Sequence, residues 1–409
     1  MNQNPPPTGR RRLVIGSLTS GHAISISSIL TIGLLLPDIT ADLDLSPLDQ
    51  GLVGASATLA VLFLTIPSAW ISSRYRPWRV ASLGLIVISG FAFLHGWAPG
   101  LGLLLLGRLG MAIAYAQTEA ATALLVQQWS TRRQVAPTNG MMISGGDVVI
   151  GIAFLLTPFL IDWLDGWRNV MYMWAGLSLL SAVTWMVLGG ERQTPEYVER
   201  LGSQQGSPLS GIIKYKELWL LGIGMAGGVA LENAFTVFWP TFAQQEMSVD
   251  PRIVGISMAL YMFAAAPAEL FVVSLSFLQT RQLTVMAVTG VVTMGAHMAL
   301  LFTGSEVLVC LINVGRGLSI CYFPVIVTMV YQLPGIRPRE VAIGLAFIYT
   351  LMNAGASLGP LLVGGLFEAT GDLQASLFVT TFLSLTLVVS ALLLGRRMGE
   401  RVSEESAPA

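Results

Sequence analysis

Long apolar runs, each about the length of a bilayer crossing and each closed by charge, Pro or Gly, recur along the whole chain. They fall at 12–36, 49–73, 79–98, 101–127, 138–161 and 168–189, then at 217–241, 252–276, 282–303, 306–331, 341–366 and 375–395. A helix rising about 1.5 Å per residue needs about 20 such residues to cross the hydrocarbon core. No water satisfies a bare backbone there, so each run is expected to be helical. The pattern predicts an all-α polytopic membrane protein with 12 transmembrane helices, numbered helix 1 to helix 12 in chain order.

Composition agrees. Of 409 residues 54% are hydrophobic and only 11% charged, against about 25% charged in soluble domains. Twenty-two Lys/Arg and 23 Asp/Glu cannot dress a soluble surface this large. A net charge of −1 gives no sign of a nucleic-acid partner. Cys310 and Cys321 share one apolar run and the three histidines are scattered, so no disulfide, metal or cofactor framework is expected. Arg10-Arg11-Arg12 before the first run resembles a secretory signal. The run is too long for that, and others follow, so it reads as an uncleaved span.

Lys/Arg placement orients the helices. With both termini in the cytoplasm, 18 of the 22 Lys/Arg fall in inner segments. Only Arg168 and Arg252 fall in outer loops, as the positive-inside rule demands. Gly190 to Tyr215 is polar and carries four cationic residues with Lys216 included. The expected domains are an N-terminal six-helix bundle (1–190), a cytoplasmic linker (191–216), a C-terminal six-helix bundle (217–396) and a disordered tail (397–409). The halves repeat at an offset of about 200–208 residues: Leu52-Val53-Gly54-Ala55-Ser56 matches Ile253-Val254-Gly255-Ile256-Ser257, and Pro67 matches Pro267. Gly107-Arg108 matches Gly315-Arg316, and Arg133-Gln134-Val135-Ala136 matches Arg339-Glu340-Val341-Ala342. Two pseudo-symmetric bundles place a solute site near mid-membrane between them, reached from alternate sides.

Arg74 with Arg79, Arg108, Gly166-Trp167-Arg168, the central linker and Trp239-Pro240 together resemble the major facilitator superfamily over essentially the whole chain. The resemblance implies that helices 1, 4, 7 and 10 line a cavity. It also implies that helices 2, 5, 8 and 11 form the interface between halves, and that helices 3, 6, 9 and 12 face lipid. Two departures stand out. Ser73 and Arg76 replace the Asp and Gly of the family's loop motif between helices 2 and 3. Helix 5, reading GMMISGGDVVIGIAFLLTP, lacks the antiporter Gly-Pro step. The overall flavour is similar to cyanate- or nitrate-permease-like anion carriers.

Six ionisable residues lie inside spans: Arg108 and Glu119 on helix 4, Asp147 on helix 5, Glu232 on helix 7, Glu269 on helix 8 and Arg316 on helix 10. Insertion costs of about 2.5–3.5 kcal/mol per centred charge require that they pair, face water or carry protons. Four acids against two bases cannot all pair. Arg108, Tyr115 and Glu119 fall within about 20° of one helical face. Arg108 and Arg316 form a candidate anion clamp. Tyr115, Glu232, Trp239, His22, Tyr349 and Asn353 complete the candidate substrate-binding set. Glu119, Glu232 and Asp147 are the candidate proton carriers, and Arg74, Arg79 and Asp147 the candidate gate. The bland alternatives are a packing role for Arg108, a buried helix–helix pair for Glu119, a structural His297 and a loop-arginine salt bridge for Glu269. Gly140, Gly145, Gly146 and Gly151 on helix 5, and Gly355, Gly359, Gly364 and Gly365 on helix 11, mark close-packing faces. Trp70, Trp97, Trp163 and Trp167 read as interfacial anchors.

The expectation is a monomeric inner-membrane secondary transporter, not an enzyme, with a small solute, protons and the lipid bilayer as its partners. It moves a small organic or inorganic anion by alternating access, coupled to protons. The alternative is proton-driven efflux of lipophilic or cationic compounds.

Overall fold

The structure, a computed structural model, describes residues 8–130, 132–188, 190, 215–274, 281–333, 336 and 338–405. Twelve helices long and apolar enough to cross a membrane appear among them. Helix 1 runs Thr8–Leu30 and resumes as Ile32–Leu43; helices 2 to 6 are Pro47–Arg74, Pro77–Trp97, Leu101–Trp129, Arg132–Trp163 and Trp167–Leu188. Helices 7 to 9 are Lys216–Gln245, Pro251–Ser274 and Gln282–Leu300. Helix 10 is split into Glu306–Ser319 and Tyr322–Tyr331, and helix 11 is Pro338–Thr370. Helix 12 runs Leu373–Thr381, a 3-10 turn Phe382–Ser384, and Leu385–Glu405.

The ends follow local chemistry. Helix 2 opens on a capping box, with Ser46 Oγ accepting from Asp49 N–H and Asp49 Oδ2 accepting from Ser46 N–H, which satisfies two otherwise orphaned donors. Helix 12 opens on Asp372, whose carboxylate accepts from Ala375 N–H at 2.8 Å. The split in helix 10 falls four residues before Pro324, whose missing N–H leaves the Ile320 carbonyl without its helical donor. Phe323 N–H takes that carbonyl instead. Helix 12 continues to Glu405 where a disordered tail was expected from 397, because a polar sequence can extend a helix beyond the apolar run. Residues 191–214 of the expected linker lie outside the described residues.

Helix 2 packs along helix 11, helix 5 along helix 8, and the second segment of helix 1 on helix 7. Glycines set the closest approaches: a Cβ on Gly33 would collide with the Thr236 carbonyl of helix 7, and one on Gly359 with the Ala230 carbonyl. Gly51 and Gly364 bring helices 2 and 11 together, and Gly151 admits Phe263 of helix 8. Gly140 and Gly365 meet nothing, so those two do not mark packing faces.

The apolar interior is divided unevenly. On the face remote from the termini, one core contains residues of both halves, including Leu35, Val53 and Phe154 from the first and Phe235, Trp239 and Val254 from the second. On the face that carries the termini there are two cores. Val14, Leu18, Leu125 and Trp185 belong to the first half alone; Leu218, Tyr322, Ile348 and Leu394 belong to the second alone. The halves join on one face and part toward the other.

Candidate functional site

The stripe predicted on helix 4 exists, and its two ends meet different surroundings. Arg108, 2% exposed, donates from Nε to the Val53 carbonyl at 2.7 Å and Ser56 Oγ at 3.2 Å, and from Nη1 to the Ile29 carbonyl at 3.5 Å. Its partners are therefore backbone and hydroxyl groups of helices 1 and 2, not an open cavity. Three turns on, Glu119 Oε2 lies 2.8 Å from His22 Nδ1 of helix 1, with the two side chains 51% and 18% exposed. The Tyr115 ring sits 5.8 Å from the imidazole. Asp147, on helix 5 behind His22, makes no hydrogen bond or ion pair with any described residue, and its Oδ2 is buried.

The C-terminal half holds a fully enclosed charge network. Arg316, 3% exposed, donates from Nη2 to Glu232 Oε2 at 2.8 Å, from Nη1 to Asn313 Oδ1 at 2.7 Å and from Nε to His297 Nε2 at 3.0 Å. Its guanidinium also lies 4.8 Å over the Tyr261 ring and 5.7 Å over that of Phe235, both favourable for a cation. His297 Nδ1 is 2.7 Å from the Thr293 carbonyl. A carbonyl only accepts and a guanidinium only donates. Nδ1 therefore carries the proton, Nε2 offers its lone pair to Arg316, and His297 is neutral in this arrangement. The 3.4 Å approach of Nε2 to Glu232 is thus no ion pair. Glu232 Oε1 and the Tyr322 hydroxyl are buried without partners.

The two arginines of the expected clamp are each bonded to protein acceptors, Arg108 on helices 1 and 2 and Arg316 on helices 7, 9 and 10. Trp239 is fully buried against Phe242 and, in this arrangement, reaches no open face. Tyr349 and Asn353 are half-buried on helix 11; Tyr349 stacks on Phe323, and Asn353 donates to the Tyr349 carbonyl. Ser357, next on that strip, donates to Thr58 Oγ1 of helix 2 at 3.0 Å and so bonds the facing helix. Glu269 is half-buried and has no arginine partner among the described residues; it lies within electrostatic reach of Asp147. The loop salt bridge expected for it is not formed among the described residues; the side chains of Arg132, Arg133, Arg337 and Arg339 lie outside them. Arg74 and Arg79 are exposed at the termini-side ends of helices 2 and 3.

Trp97 and Trp163 are exposed at helix ends, as anchors would be. Trp167 is instead buried, with Nε1 donating to Asp42 Oδ2. The Trp70 side chain lies outside the described residues.

Sequence reasoning missed contacts on the closed face. Arg252 Nη2 donates to Asp162 Oδ2 at 2.8 Å, joining the start of helix 8 to the end of helix 5 across the two halves. Glu368 Oε2 accepts from Leu48 N–H at 3.3 Å, again across the halves. Arg168 donates to Asp42 and to the Gly96 and Ala98 carbonyls within the first half. Arg168 and Arg252 are the two cations that the charge pattern assigns to outer loops, and that rarity was the available signal.

Comparison with known proteins gives a consistent picture. The sequence model of the Major Facilitator Superfamily matches residues 18–335. An uncharacterized transporter of Bacillus subtilis, YycB, is 24% identical over 359 residues, covering 84% of this chain and 83% of that protein. Sodium-dependent phosphate transport protein 1 of Rattus norvegicus is 23% identical over 228 residues, 52% of this chain; the match spans about half (49%) of the rat protein's length. Among solved structures, a bacterial homologue of the human lysosomal transporter Spinster, in an inward-facing and occupied conformation, superimposes with a TM-score of 0.77 at 17% identity. That match covers 95% of this chain and 98% of the other.

Proposed function

The chain belongs to the major facilitator superfamily, and from that premise we propose that it moves a small anion across the inner membrane by alternating access, coupled to protons. It is a multi-pass membrane transporter and not an enzyme. The termini and the Arg-rich loops are read as cytoplasmic, which makes the arrangement described above inward-facing. The observation that carries the reading is the His22–Glu119 contact: an imidazole and a carboxylate 2.8 Å apart inside the span, on helices 1 and 4, with the carboxylate side chain 51% exposed. In hydrocarbon such exposure is unaffordable, whereas on the wall of a wet path it is natural. His22, Tyr115, Tyr349 and Asn353 border that path, and Glu119, Asp147 and Glu232 are the carboxylates available to a coupled proton. Arg74, Arg79 and Asp147 belong to the end that must close when the carrier turns outward. The phosphate named for the rat relative is one anion to try.

One observation favours the second reading, export of cationic compounds. Among the described charged residues inside the spans, Glu119, Asp147 and Glu269 are at least partly exposed, while Arg108, Arg316 and the remaining acid, Glu232, are buried.

The test is flux in proteoliposomes holding the purified chain, with and without an imposed pH gradient, across small organic anions, phosphate and cationic dyes. Gradient-dependent anion accumulation that falls at least tenfold in His22→Gln and Glu119→Gln is expected. Gradient-driven dye movement without anion flux would select the export reading. Wild-type flux in both variants would remove the pair from the path.

A further inference from the structure

Arg108 and Arg316 occupy matching positions in the repeat, yet they differ in what could ever replace their partners. The acceptors of Arg108 are two carbonyls and a hydroxyl, none of which changes charge in the physiological range. Two of the three acceptors of Arg316, Glu232 and His297, titrate. A proton on Glu232 removes the only negative charge bonded to Arg316, and a proton on His297 Nε2 removes the lone pair that Nε needs. The first leaves a buried guanidinium without its counter-charge, and the second sets two cations against one carboxylate; a protein interior tolerates neither.

We propose that Arg316 is the docking group for an oxyanion of the solute, a carboxylate or phosphate, and that Glu232 is its internal stand-in when the site is empty. This rests on the carrier reading above, and assigns it a ligand group and a proton. Arg316 and ionised Glu232 sum to zero. With a singly charged oxyanion of the solute on Arg316 (a carboxylate or the phosphate monoanion), neutrality returns only when Glu232 takes up one proton, so anion and proton enter and leave together. In that exchange the Nη2–H bond to Glu232 Oε2 passes to the incoming oxygen, and the proton arrives from the aqueous path. His297 stays neutral and holds the guanidinium in register through Nε.

Three further observations support an exchange site rather than an inert structural pair. Glu232 Oε1 and the Tyr322 hydroxyl, each more than nine-tenths buried, have no partner and so offer unfilled hydrogen-bonding capacity beside the guanidinium. Tyr322 rests on Gly228, one turn along helix 7 from Glu232, and feels that carboxylate's charge. The backbone of helix 10 is interrupted at Ile320–Cys321, one turn beyond Arg316, which gives that segment a place to bend. The titratable and charged groups facing Glu232 are His297 from helix 9, Arg316 and Tyr322 from helix 10, and Tyr261 from helix 8.

The test uses the full chain in detergent and in proteoliposomes, with D-gluconate, ionised across the range used, and inorganic phosphate as probes. Proton uptake is read by calorimetry in buffers of different ionisation enthalpy. The wild type is expected to take up about one proton per bound gluconate, with affinity falling about tenfold per pH unit once Glu232 must be protonated on binding. Glu232→Gln should bind gluconate with no linked proton and a flat pH profile, exchanging it across the membrane without gradient-driven accumulation. Arg316→Gln should weaken binding by more than about a hundredfold, and Arg316→Lys by less. A Glu232→Gln protein that keeps the proton linkage, or an Arg316→Gln protein that keeps the affinity, overturns the proposal. If Glu232→Gln does not fold, the wild-type proton count and Arg316→Lys decide. Failure to bind either probe, with gradient-driven flux of a cation or neutral compound instead, overturns the proposal and leaves the carrier reading intact. No gradient-driven flux of any compound overturns both.

Discussion

Arg108 and Arg316 begin from the same place and end differently. Each follows a glycine on the fourth helix of its half, and on the second helix of each half a serine bonds back to a carbonyl, Ser56 to Val53 and Ser257 to Val254. In the first half the arginine joins that serine and that carbonyl. In the second it turns to Glu232 on helix 7. The difference lies in what the first helix of each half offers: across the repeat offset, Glu232 corresponds to somewhere in 24–32, a stretch with no acidic residue. One duplicated arginine therefore became a fixed tie between helices, and the other the centre of a network whose members can change charge.

The contrast can be broken most severely at Arg316. Replacing it with Gln strands Glu232 as a buried, uncompensated carboxylate, and should cost about 3–5 kcal/mol in unfolding free energy. Glu232→Gln with Arg316→Gln should recover more than half of that. Thermal unfolding of the three proteins in one detergent measures it, and a double variant no better than the single would refute the pairing. Arg108→Gln should cost less, about 1.5–3 kcal/mol for the lost charged hydrogen bonds. No second substitution should rescue it, since its acceptors are mainly backbone, and the pH profile of transport should keep its shape. The mildest change is Arg252→Ala on the closed face. Both side chains of its ion pair with Asp162 are exposed, and exposed pairs hold little. Spin-label distances between helices 5 and 8 should show at most a few-fold rise in conformers open on that face; a wholesale shift would mean that the pair, rather than apolar packing, closes it.

The helix count was legible because lipid enforces it: a backbone without water has few options, and the apolar runs record that directly. The face shared by Arg108, Tyr115 and Glu119 was also legible, from the turn angle alone. What hydropathy could not convey was depth relative to the closure between halves. At the level of Arg108 helices 1 and 2 have closed over the stripe, and at Glu119 they have not, so one arithmetic gave one structural and one exposed residue. The C-terminal network was hidden for another reason. Glu232 and His297 sit 84 and 19 positions from Arg316, separations that no helical period links, and His297 lies on a helix that the family resemblance turns toward lipid. Pro324 did announce the break in helix 10, but it was submerged in an apolar run.

The shared core opposite the termini makes the shut face a greasy plug more than an ionic lock. Such a plug should be largely indifferent to ionic strength, because little of its cohesion is Coulombic. Its grip comes from apolar surface withheld from water, which weakens on cooling. An empty carrier should therefore leak toward its other posture in the cold, and rest most firmly shut on that side when warm.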